Sequence, residues 1–128
     1  MKIMLLAAFF MLSLAGCVGQ NNEQQQGLVF SVTEATFTLT PECTQRAEVD
    51  HDEEGRPMLV VSMKQSPECS EKASETVFSQ EGQYLTVKYD KRVIVDRELI
   101  VTPMDPTSPT WLGVGSEELA REIEKALN

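Results

Sequence analysis

The chain has 128 residues, 41% of them hydrophobic, with 11 basic against 20 acidic side chains and a formal net charge of −9. An acidic balance of this size repels phosphate backbones and excludes nucleic acid as a partner, and the length allows one small domain with a narrow stability margin. Three cysteines and a single histidine restrict metal and nucleophilic chemistry from the outset.

Lys2 precedes an apolar run from Ile3 to Leu14, followed by Ala15, Gly16 and Cys17. A positive start, a short apolar segment and small residues before a cut describe a secretory signal over residues 1–16. A spanning helix is the alternative, but it needs about 20 apolar residues, and Gln20, Asn21 and Asn22 follow too soon. The quartet Leu14, Ala15, Gly16 and Cys17 resembles the lipobox of bacterial lipoproteins. That resemblance implies cleavage before Cys17, lipidation of its sulfur and anchoring to a membrane; several acyl chains hold where a single one binds only marginally. By the same resemblance, Val18 rather than an aspartate after the cysteine implies the outer membrane, facing the periplasm.

The polar tract up to Gly27 contains Gln20, Asn21, Asn22, Glu23 and three further glutamines, with nothing to bury. Residues 17–27 therefore read as a flexible tether holding the folded part about 17 Å from the lipid on average. The remaining residues, 28–128, form the expected domain.

Leu28 to Leu39 is rich in Val, Phe and Thr and reads as strand, with Phe30, Val32, Phe37 and Leu39 as apolar beats and a break near Glu34. Pro41 ends it. Ala47 and Val49 alternate with Glu48 and Asp50, and Leu59, Val61 and Met63 share a face after the turn from Asp52 to Gly55, which makes a hairpin. Ser66, Pro67 and Glu68 supply a hydroxyl cap, a proline in the first turn and a carboxylate at the positive end of a helix that runs to about Gln80. Tyr84 to Tyr89 and Arg92 to Val95 alternate around Asp90 and Lys91 as a second hairpin, which Ile100, Val101 and Thr102 continue. Pro103, Pro106 and Pro109 make an extended crossover that cannot join a ladder, with a docking ligand as the other reading. Ser116 caps a final helix whose stripe is Leu119, Ala120, Ile123, Ala126 and Leu127. Hairpins joined to two helices indicate an α+β fold: an antiparallel sheet with both helices packed on one face.

Cys43 and Cys69 remain once Cys17 is lipidated, an even pair in a compartment that permits disulfides, and each ends a Pro, Glu, Cys tripeptide. A bridge would close a loop of about 27 residues and contribute about 3.5 kcal/mol by chain entropy. Two buried free thiols are the alternative.

From Ala47 onward the order of elements resembles the periplasmic head subdomain of SecD, a membrane protein that assists preprotein export. The residues that carry this are Val49, Asp52, Gly55, Arg56 and Pro57, then Val61, Ser62 and Met63, then Pro67 and Glu68 at the helix start. Leu85, Val87, Asp90, Val93 and Ile94 follow, and Ser116, Glu117, Glu118 and Leu119 open the last helix. The resemblance implies a module that binds peptide or protein chains without catalysis. Lys91 stands where the family has glycine, and the family's membrane-spanning helices have no counterpart in this sequence.

Asp50, Asp52, Glu54 and Gly55 have the spacing of half a calcium loop, yet the position for its bidentate glutamate is Val61. A solvated turn is the expected role, and no metal or cofactor is assigned. Zinc lacks its thiolate and imidazole set, and no nucleophile, base and orienting group can be named, so no catalytic residue is expected. Met58, Leu59 and Val60, or the faces of Tyr84 and Tyr89, are candidate binding patches. Two functions follow: a lipid-anchored module for envelope or exported proteins, or a carrier of a small ligand or metal ion.

Overall fold

A computed structural model describes residues 27–128. Cys17, the expected signal segment and the tether as far as residue 26 lie outside the described residues.

Two antiparallel sheets carry the fold. Strand β1 (Leu28–Ser31) turns back into β2 (Thr36–Leu39), and the predicted break near Glu34 is the connection between them. Leu28 faces Leu39 and Phe30 faces Phe37, so one face of the pair is wholly buried. Gly27 closes this pair tightly: a Cβ there would sit 2.6 Å from the Leu39 carbonyl oxygen, on backbone that cannot yield. On its other side β1 pairs with β5 (Tyr84–Tyr89), which pairs with β6 (Arg92–Leu99), giving the order β2-β1-β5-β6. The second sheet runs β3 (Thr44–His51), β4 (Pro57–Met63) and β7 (Thr110–Gly113).

The α+β class with antiparallel strands stands, but the strands divide between two sheets. Strand β7 lies inside the segment read as a crossover: the prolines end with Pro109, and the next four residues pair with β4 from Val61↔Thr110 to Met58↔Gly113. At the Asp90–Lys91 turn both residues have positive φ, 50° and 71°, as a two-residue hairpin of the primed type requires. Strand β6 carries two bulges against β5, and Arg97 adopts φ 55° at one of them.

The first helix is wider than expected. Pro67–Glu71 and Ser74–Phe78, joined through Lys72 and Ala73, close with bonds five residues apart, Glu71 N–H to Ser66 O at 3.1 Å and Ser79 N–H to Ser74 O at 3.1 Å. Ser66 makes no hydroxyl cap; its N–H instead donates to Ser70 Oγ at 3.2 Å. The helix packs on β2, and its Phe78 meets Phe30 of β1 edge to face with centroids 5.5 Å apart. Helix α1 (Glu117–Leu127) does have its predicted cap, with Leu119 N–H donating to Ser116 Oγ at 3.1 Å, and it packs on β3 and β4 through Ile123 and Leu127. The helices thus cover different sheets.

A disulfide joins Cys43 to Cys69, with their Cα atoms 5.3 Å apart. It ties the turn before β3 to the start of the first helix, the two connections through which the chain passes from one sheet to the other and back, beside one continuous core.

Candidate binding groove

The run Leu99, Ile100, Val101 cannot bury every side chain, because neighbours along extended backbone point to opposite faces. Ile100 enters the core, and its N–H and C=O extend the β5–β6 ladder to Gln83 O at 2.9 Å and Gly82 N at 2.8 Å. Leu99 and Val101 are left 44% and 66% exposed. On β7 the same alternation buries Leu112 against the core and leaves Trp111 54% exposed.

These residues meet because β6 and β7 are the terminal strands of their sheets and lie beside one another. Between them runs an open groove of about 310 Å³, lined chiefly by Leu85, Val95, Leu99, Val101, Met104 and Trp111. Its floor is the edge of the core, and Met104 is fixed there by an N–H bond to Phe78 O at 2.8 Å. The lining holds neither histidine nor cysteine, and its one carboxylate is Glu98. Such a surface can accept apolar side chains and offer edge backbone to an extended guest. It has no acid and base pair with which to drive a reaction.

Trp111 is also a wall of a second, shallower hollow with His51, Asp52, Glu53, Glu54 and Arg56. Here the predicted acidic turn is found, with its carboxylates largely engaged within the turn. Asp52 Oδ1 accepts the N–H groups of Glu54 at 2.8 Å and Arg56 at 2.9 Å, and Arg56 Nε donates to Asp52 Oδ2 at 2.7 Å. The Arg56 backbone N–H is the main reason the Asp52 carboxyl is held below the usual range, against the opposing effect of partial burial. Arg56 also reaches Glu54 at 3.0 Å, and Asp50 Oδ1 accepts the His51 N–H at 2.8 Å. Val61 is core, as its place on the apolar face with Leu59 and Met63 foretold, and among the described residues no group of three or more His, Cys, Asp or Glu is disposed to hold a metal. His51 Nε2 lies 2.7 Å from Glu117 Oε1, which joins the end of β3 to the start of α1 and holds the Glu117 carboxyl low.

Of the candidate patches, Leu59, Val60 and Tyr89 are buried and Met58 is half-buried. Tyr84 alone is well exposed, with the Arg97 guanidinium 5.5 Å over its ring. Sequence reasoning missed Leu99, Val101 and Trp111. The available signal was the lone tryptophan two residues after the last of three spaced prolines, together with an apolar triplet too short to form another strand.

Among the described residues no helix is long and apolar enough to cross a membrane. No protein-family model matches the chain, and no curated protein matches it. A solved structure of a membrane component SecDF that enhances protein export is similar to it, with a TM-score of 0.59 and 20% sequence identity over 80% of this chain. The chain spans 62% of the length of that structure. The fold is therefore SecD-like, as the order of hairpins and helices from Ala47 onward implied.

Proposed function

We propose that this protein is a lipid-anchored component of the bacterial envelope whose folded part binds extended segments of other proteins, without catalysis, in connection with protein export. The observation that carries the reading is the groove between β6 and β7, where Leu99, Val101 and Trp111 remain exposed at the open edges of two sheets. Apolar side chains held in water on a small acidic domain favour an interaction surface. The lipobox-like quartet ending at Cys17 and the polar tether to Gly27 support an anchored address, and the SecD-like fold supports the export connection.

A photoreactive residue at position 101, installed in the full chain in its native host, tests this directly. Adducts with polypeptides in transit are expected from position 101 and not from the same residue at Glu71, which is exposed on the first helix away from the groove. Equal labelling from both positions, or none from either, would contradict the reading. Intact-mass analysis of the same protein is expected to show residues 1–16 removed and Cys17 acylated.

A further inference from the structure

The groove and the acidic hollow share one wall, the indole of Trp111. On the groove side the surface is apolar, while the hollow gathers Asp52, Glu53 and Glu54 against the single cation of Arg56. Arg56 is already paired with Asp52 and Glu54, and among the described residues no hydrogen bond or ion pair engages the Glu53 side chain. Glu98 on the opposite lip of the groove is likewise without an ion pair among the described residues, and the whole chain carries a net charge of −9. An extended guest presents side chains of one face about 7 Å apart, so residues two positions apart can straddle an indole. Trp111 then offers its ring to a cation on the acidic side as well as to an apolar group on the other.

From this arrangement we infer that the groove selects extended segments in which an apolar side chain lies two positions from Lys or Arg. The apolar group enters beside Leu99, Val101 and Trp111, and the cation lies over the hollow next to Glu53. This selectivity rests on the binding role proposed above and narrows it to a class of partner: basic, apolar, unfolded polypeptide. Acidic or purely apolar segments of equal length are disfavoured.

Trp111 is the chain's only tryptophan, so its emission reports occupancy of the site. Detergent-solubilised full-length protein is titrated with ten-residue peptides that differ only at the position two residues after a central leucine, where they carry Lys, Gln or Glu. The Lys peptide is expected to shift the emission to the blue and to bind at least tenfold more tightly than the Glu peptide, with the gap closing as salt is raised. E53Q is expected to shrink the Lys preference while leaving Gln-peptide affinity unchanged. Equal affinity for all three peptides would overturn the charge selectivity and leave the groove reading intact. No emission change with any of them, unaltered by V101D, would remove the groove reading itself. A shift driven by protein concentration alone would identify a second copy of the chain as the occupant and overturn the inference.

Discussion

Strands β3 and β7 are the two edges of one three-stranded sheet, and the chain treats them in opposite ways. The β3 edge is sealed by α1: Glu124 Oε2 accepts the Val49 N–H at 3.2 Å, and Asn128 Nδ2 donates to the Ala47 carbonyl at 2.8 Å. No side-chain hydrogen bond reaches the backbone of β7 among the described residues; it faces the groove and exposes Trp111. Open edges invite pairing with other chains and are usually blunted. Across the groove β6 is blunted, by two bulges and the charges of Asp96, Arg97 and Glu98, while β7 keeps a regular register. The sealed edge serves stability, and the open one is the edge on which the proposed binding rests.

Mutations should separate the two. The largest loss is expected at the sealed end, where C43S with C69S removes the bridge ahead of β3 and lowers unfolding free energy by about 3.5 kcal/mol, as read in denaturant. L112A, which empties the inward side of β7, should cost about 3 kcal/mol. E124A with N128A uncovers the β3 edge and should cost about 2 kcal/mol, with self-association rising in sedimentation because a second edge is now open. K91G should stabilise by about 1 kcal/mol, since Lys91 sits at φ 71° where glycine carries no steric penalty. The smallest effect belongs to pH. Asp52 has its folded carboxyl held low, so its contribution is complete above the unfolded value near pH 4 and is lost as pH falls through the lower folded value. The fall in thermal midpoint between pH 5 and pH 3 should therefore be smaller in D52N than in the parent.

Much of this was legible locally. Apolar alternation marked five strand segments, the first of which divides into β1 and β2, Ser116 announced its cap, and the paired Pro, Glu, Cys tripeptides marked the residues that are bridged. What local pattern could not supply was pairing. Thr110–Gly113 is too short to alternate convincingly and follows Pro109, so its strand character comes from β4 alone. The first helix begins with good capping residues, yet Ser70 N–H bonds to Lys64 O at 3.1 Å and Cys69 is tied to Cys43, tertiary links that a helix signal does not contain. The groove escaped notice for the same reason: Leu99, Val101 and Trp111 become one surface only after the strands have divided between two sheets.

Backbone hydrogen exchange with and without a permanently unfolded polypeptide tests the central claim most directly. The account predicts new protection at residues 98–102 and 110–113, with β3 unchanged. Protection centred on β3 or the helices, or none anywhere at saturating polypeptide, would contradict it.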